Sequence, residues 1–373
     1  MKILSVFGTR PEAVKMAPII HELAQNPNIE SRVCVTAQHR QMLDQVLDLF
    51  HIQPDYDLDL MRDDQSLAEL SAAIFTRLAP ILSEFSPDWV LVQGDTTTVA
   101  ITALLAYYYR TRVGHVEAGL RTHDKWQPFP EEINRRVAGV IADLHFAPTE
   151  WAKQNLLREG ISERAIEVTG NPVIDALRFV AQQPEPKELT KLIHELGIGH
   201  RDSGRKLLLV TAHRRENFGR PLEDICHALK ELAMRNDVEI IYPVHLNPNV
   251  QEPVYRILKG INHITLLPPQ DYLPLINLMK HSTFILTDSG GIQEEAPAFG
   301  IPVLVLREVT ERPEGIEAGT LKLVGTDTRH IVEEATRLLD NAPAYHAMAK
   351  AANPFGDGHA AQYIIRALLN YKV

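Results

Sequence analysis

The feature that most restricts the fold is an alternation that runs twice along the chain. Short, largely apolar runs at Ile3 to Phe7, Arg32 to Thr36, Trp89 to Val92, Val113 to Val116 and Leu144 to Phe146 are separated by helical patterns. Met16, Ile19, Ile20 and Leu23 recur at helical spacing after the first run, and Met42, Val46, Leu47 and Phe50 after the second. Leu67, Leu70, Ile74, Leu78 and Leu82 make a further helix. Strands without a polar face need cover on both sides, which means a parallel sheet sandwiched by helices. The pattern stops near Val168-Thr169-Gly170-Asn171-Pro172. It then crosses Gln183-Pro184-Glu185-Pro186-Lys187 and a polar stretch from His200 to Arg205, and restarts. Leu207 to Val210, Val238 to Tyr242, Ile264 to Leu267, Phe284 to Leu286 and Val303 to Leu306 are the second set of strands. A chain of 373 residues has room for two full cores. The expectation is an α/β protein of two Rossmann-like domains, 1–169 and 170–357. On spacing alone the last helix, near Ala360 to Leu369, fits either one.

Composition narrows the function. A net charge of −10 argues against a general nucleic-acid or membrane surface. No run is long enough to cross a bilayer, and Met1 to Phe7 is too short for a signal peptide, so a cytoplasmic protein is expected. Cys34 and Cys226 are far apart, sit among apolar or helical residues and read as buried thiols.

Ligands bind parallel sheets at the carboxyl ends of the strands, and with two sheets the expected site is the interdomain cleft. Those ends carry Gly8 to Arg10, Asp95 and Glu117 in the first domain. In the second they carry His213 to Arg215, His245 and Asp288 to Gly291. In Thr287-Asp288-Ser289-Gly290-Gly291 a strand runs through a turn into a helix, leaving backbone N–H groups free for a phosphate. Glycines let the main chain approach an anion, and Glu294 and Glu295 follow where a carboxylate can accept a ribose hydroxyl. An N-cap serine and a tight turn account for the same residues equally well. Thr211-Ala212-His213-Arg214-Arg215-Glu216-Asn217 and Arg312 can each be a solvated loop. Three such features in one domain, with Arg10, suggest a diphosphate bearing a nucleoside. Asp95 suits an N-cap, and Glu131 and Glu132 suit a helix N-terminus in any case. Several carboxylates beside a cationic diphosphate site would also suit acid–base work on a sugar nucleotide. Gly8-Thr9-Arg10-Pro11 lacks the glycine spacing of a dinucleotide fingerprint and no P-loop lysine motif occurs, which disfavours nicotinamide chemistry. No His, Cys and carboxylate set has metal-ligand spacing.

Six motifs together carry a resemblance. They are Phe7-Gly8-Thr9-Arg10-Pro11-Glu12, Gly94-Asp95-Thr96-Thr97-Thr98, His115-Val116-Glu117-Ala118-Gly119-Leu120-Arg121, Pro128-Phe129-Pro130-Glu131-Glu132, Thr211 to Asn217 and Asp288 to Glu295. In this order they closely resemble the non-hydrolysing UDP-N-acetylglucosamine 2-epimerases of bacteria, from the first strand to about Gly358. The resemblance implies a GT-B-like fold, a final helix (about 358–373) packed back on the first domain, a homodimer, and no cofactor or metal. It implies interconversion of UDP-N-acetylglucosamine and UDP-N-acetylmannosamine by elimination of UDP to a 2-acetamidoglucal and readdition, supplying units for surface polysaccharide.

By the same resemblance Asp95, Glu117, Glu131 and His213 carry catalysis, with Glu117 one of the proton-transferring pair and the order of acid and base open. His213 and Arg10 would stabilise charge on UDP, Ser289, Gly290 and Gly291 hold its phosphates, and Glu295 its ribose. Gln270 and Leu275 fall at the uracil, where relatives often have Phe at the second position, implying a weaker base contact here. Lys15, Arg135 and Arg312 complete the substrate set. Gln38, Gln41 and His245 correspond to a second, activating substrate site in some members, but Asp64 stands where those members carry a basic residue. Three other readings fit the same residues: a glycosyltransferase, a hydrolysing epimerase and a catalytically silent sugar-nucleotide sensor.

Overall fold

The computed structural model describes residues 1–37, 40–60, 62, 64–198 and 204–371. The chain divides into two compact units, Met1–Arg178 with Phe355–Val373, and Phe179–Pro354. The first unit contains strands β1 (Lys2–Phe7), β2 (Glu30–Val35), β3 (Tyr56–Asp57), β4 (Trp89–Gln93), β5 (Arg112–Val116), β6 (Leu144–Ala147) and β7 (Ile166–Val168). All pair in parallel, in the order β3-β2-β1-β4-β5-β6-β7. The second contains β8 (Lys206–Thr211), β9 (Val238–Pro243), β10 (Ile264–Leu267), β11 (Ser282–Thr287), β12 (Val303–Val305) and β13 (Leu321–Leu323), again parallel, in the order β10-β9-β8-β11-β12-β13.

The strands form because their side chains are buried on both faces. Val90, Leu91 and Val92 of β4 and Ile240, Ile241 and Tyr242 of β9 are wholly buried. Helix Leu67–Phe85 covers one face of the first sheet with Leu70, Ile74, Leu78 and Leu82. A capping box starts it: Ser66 Oγ accepts the Glu69 N–H, and the Glu69 carboxylate accepts the Ser66 N–H. In the second unit, helix Arg220–Leu232 buries Leu222, Ile225, Cys226 and Leu229 against the sheet. Both cysteines are free and buried, and burial pushes each thiol up to about 12.

Helix Ala360–Asn370 returns to the first unit, where Asp175 accepts the N–H groups of Ala360 (3.2 Å) and Ala361 (3.0 Å). Three strands have no counterpart in the sequence reading: β3, β7 and β13. Each lies at the edge of its sheet, is two or three residues long and keeps part of its surface in solvent, so no apolar run marks it. Among the described residues no helix is long and apolar enough to cross a membrane.

Candidate active site

Each sheet changes strand order at one place, between β1 and β4 in the first unit and between β8 and β11 in the second. Connections leaving the two adjacent strands turn opposite ways there, opening a crevice at their carboxyl ends. Gly8 to Arg10 and Asp95 lie at the first crevice, and His213 and Asp288 to Gly291 at the second.

In the first unit β1 runs through Gly8 into helix Arg10–Ala24, which carries Lys15, while Arg10 is its half-buried first residue. Buried Glu12 holds this turn: Oε2 accepts the N–H groups of Gly8 and Thr9, both at 2.7 Å, and Oε1 accepts the Thr96 hydroxyl. The turn after β1 and the helix after β4 are thereby tied to one carboxyl. Asp95 follows Gly94, whose φ of 81° suits a residue without a side chain. Asp95 Oδ2 accepts from the Arg135 guanidinium at 2.6 Å. Burial pushes the Asp95 carboxyl above its ordinary range; Arg135 and Lys15 oppose this, while Glu117 and Glu131 reinforce it.

Glu117 follows β5, is almost fully buried and has a φ of 61°, in the left-handed region that non-glycine residues seldom enter. Its Oε1 is ion-paired with Lys15 and accepts from Asn171 Nδ2 at 2.9 Å, while Oε2 accepts from Gln93 Nε2 at 2.5 Å. Ammonium and amide donors favour the ionised form of a carboxylate. Glu131 opens helix Glu131–Ile141 and Arg135 lies one turn later. Glu131 Oε2 is buried and has no hydrogen-bond partner among the described residues. Its neighbour Glu132 differs: fully buried, it accepts the Thr122 and His123 N–H groups and pairs with Arg135 and Arg136. One of these adjacent glutamates braces the fold and the other keeps a carboxylate oxygen uncommitted.

In the second unit Thr211 and Thr287 face each other across β8 and β11, their hydroxyls 2.6 Å apart. The next residue on β11's side, Asp288, is wholly buried, and its Oδ2 accepts the N–H groups of His213 and Arg214 (both 2.8 Å) and Asn217 Nδ2 (3.0 Å). The His213 ring stacks on His245, with centroids 5.2 Å apart and planes 15° from parallel. Helix Gly290–Glu295 begins at Gly290, with Ser289 at its N-cap. The Arg312 guanidinium occupies the space where a Gly290 Cβ would point, 3.0 Å from that position, and is paired with Glu294 and Glu311 at 2.8 Å each. Gly291 is open, with only Ser289 Oγ 4.0 Å away. Glu295 accepts the Tyr272 hydroxyl at 2.8 Å. Gln270 donates to the Pro268 carbonyl, and Leu275 is half-buried on helix Tyr272–His281.

The residues named from the sequence thus fall into two groups, one in each unit: Arg10, Lys15, Asp95, Glu117, Glu131 and Arg135 in the first, and the His213 and Ser289 to Gly291 loops with Arg312 in the second. Gln38 lies outside the described residues; Gln41 belongs to helix Arg40–Leu49. Gln93, Asn171 and Tyr272 were missed, because each acts through a hydrogen bond to a residue distant in sequence. Glu12 and Asp288 stood inside recognisable motifs, but their bracing of the turns was not read from them. Among the described residues no group of three or more His, Cys, Asp or Glu could hold a metal ion.

Comparison with known proteins gives one answer. A family profile described as UDP-N-acetylglucosamine 2-epimerase matches residues 21–369. The UDP-N-acetylglucosamine 2-epimerase of Yersinia pestis is 57% identical over all of both chains, and that of Escherichia coli K12 is 56% identical, again over all of both. A crystal structure of UDP-GlcNAc 2-epimerase from Neisseria meningitidis, bound to UDP-GlcNAc, superposes with a TM-score of 0.90 at 48% identity and full coverage of both chains. The enzyme of Methanocaldococcus jannaschii, in complex with UDP-GlcNAc and UDP, gives 0.80 at 33% identity, also over both whole chains.

Proposed function

Since the chain belongs to the UDP-N-acetylglucosamine 2-epimerase family and epimerises that nucleotide sugar, we propose that it works by eliminating UDP and adding it back. The fold is the GT-B-like pair of Rossmann-like units of its structural relatives. C2 of the sugar has no carbonyl beside it, so a base alone removes its proton very slowly. Elimination provides a route: the C2–H bond breaks, its electrons form the C1=C2 double bond, and the C1–O bond breaks with the pair leaving on UDP. Readdition reverses these steps with a proton reaching the other face of C2, giving UDP-N-acetylmannosamine.

The observation that carries this reading is the trio of carboxylates at the first crevice, Asp95, Glu117 and Glu131, whose surroundings differ. Glu117 accepts from Lys15, Gln93 and Asn171, while burial and two like charges push Asp95 toward its protonated form. Carboxyls in such unlike surroundings suit the acceptor and donor roles that proton exchange on two faces needs. Glu131, with an uncommitted oxygen, completes the set. In the second unit Ser289, Gly290 and Gly291 suit the phosphates of the leaving group, His213 the charge that builds on them and Glu295 the ribose; in the first, Arg10 is a further cation suited to that charge. Gln270 and Leu275 meet the base, and Arg312 fixes Gly290. NMR of products formed from UDP-N-acetylglucosamine tests the reading. UDP-N-acetylmannosamine without accumulating free sugar is expected; free N-acetylmannosamine and UDP in equal amounts would contradict it.

The active species in this reading is a homodimer. Helices Leu67–Phe85, Thr97–Tyr108 and Glu131–Ile141 pack in a row, and their outer side leaves Tyr107 and Tyr108 each 63% and Val140 84% exposed. A second copy covering this face would remove that apolar surface from water. Light scattering of Val140→Glu is expected to show monomers where the parent chain shows dimers; a monomeric parent would contradict the assignment.

A further inference from the structure

Asp288 does more than close a turn. It lies just past β11, its N–H donates to the Thr211 carbonyl at 3.1 Å, and this brings its side chain beside residues 212–214 at the end of β8. Oδ2 is fully engaged by two backbone N–H groups and the Asn217 amide. Oδ1 is buried and has no hydrogen-bond partner among the described residues. Folded proteins seldom leave a carboxylate oxygen in that state, because burial strips its water and nothing replaces it. Among the described residues a donor within reach is His213 Nδ1, 3.8 Å away. A small turn of the ring closes that gap, and hydrogen bonds at reaction centres are commonly long before substrate binds.

We propose that Asp288 is a positioning residue for His213: Oδ1 accepts the Nδ1 proton, so that Nε2 is the nitrogen presented to the departing diphosphate. The inference rests on the reading above, in which His213 stabilises charge on UDP. Three further contacts support the geometry. The Tyr242 hydroxyl, itself buried, donates to the Ala212 carbonyl at 2.6 Å and fixes the residue before His213. Asp288 holds the backbone of His213 as well as facing its ring, so ring and carboxylate cannot drift apart. The stacked His245 ring covers one face of His213, and its own Nδ1 accepts the Asn247 N–H at 3.0 Å, which leaves its Nε2 to carry the proton when neutral. Among the described residues the charged and titratable groups acting on His213 are Asp288, His245 and Arg214; burial lowers its pKa, His245 and Arg214 work in the same direction, and Asp288 opposes them. With Nδ1–H held by Oδ1, Nε2 takes up a proton from solvent as the diphosphate binds, and the carboxylate sustains that imidazolium as negative charge appears on the leaving group.

Nitrogen NMR of the unaltered full chain reads the tautomer directly, with the His213 signals assigned by their loss in His213→Asn. A neutral ring protonated on Nδ1 is the expected result, and protonation on Nε2 overturns the proposal whether or not an Asp288 variant folds. Kinetics supply a second test. Asp288→Asn keeps an oxygen for the backbone donors, and should lower kcat about tenfold or more with KM changed less than about threefold. In a His213→Asn background the same change should cost less than about twofold, because its effect passes through the absent imidazole. Losses that multiply would overturn the positioning role. If His213→Asn alone leaves kcat unchanged, the use of His213 in the mechanism fails, and the tautomer still decides whether Asp288 orients it.

Discussion

Neighbouring residues of one type can do unlike work, and Glu131 and Glu132 separate cleanly. The sequence offers two acidic residues at a helix start, a placement the helix dipole favours for both. Only packing distinguishes them. Glu132 is enclosed with Arg135, Arg136 and two backbone donors, so removing it strands buried cations; Glu132→Ala should destabilise the chain by about 3 kcal/mol in urea unfolding. Glu131→Gln should leave the unfolding midpoint nearly unchanged and suppress turnover. The reverse pattern would show that the two roles are exchanged. Lys15 teaches the same lesson. Its charge was legible as part of a cationic set, whereas its pairing with Glu117 arises from a contact across 102 residues that no local pattern records.

Elements were legible in proportion to their burial. Central strands such as β4 and β12 announce themselves because every side chain is enclosed, and short edge strands such as β3 and β13 do not, because part of their surface is solvent-facing and the pattern fades. The turn after β1 shows how an element positions chemistry. Gly8 has no room for a side chain: a Cβ would lie 2.0 Å from Thr36 Oγ1, which itself lies 3.1 Å from the Thr98 hydroxyl. Gly8→Ala must therefore push the start of helix Arg10–Ala24 away from β2, moving Glu12, Arg10 and Lys15 together. A stability loss of about 1–3 kcal/mol is expected, with a fall in kcat larger than that of Gly260→Ala, where a Cβ meets nothing within 4 Å and the φ of 80° costs stability away from the site. Equal activity in the two variants would show that the turn does not set the site.

Across the whole molecule, two buried histidines couple stability to pH. His115 and His145 are register partners on β5 and β6; burial pushes the first down to about 4 and the second to about 3, against 6.5 when unfolded. Between those values the unfolded chain binds about two more protons than the folded one, so stability from this pair is complete above pH 6.5 and lost as pH falls, by roughly 2–3 kcal/mol per unit near pH 5. Glu12, Asp95 and Asp175, raised by burial, run the opposite way and offset part of that slope. Urea titrations at pH 7, 6 and 5 isolate the histidine share: His145→Asn should flatten the dependence by about half, and an unchanged slope would contradict the assignment. The account as a whole depends on a hydrogen leaving and returning at one sugar carbon while UDP is detached. Turnover of UDP-N-acetylglucosamine in heavy water, followed by NMR, tests that most directly. Deuterium at C2 in both epimers is the predicted result, and epimers that equilibrate with C2 unlabelled would contradict it.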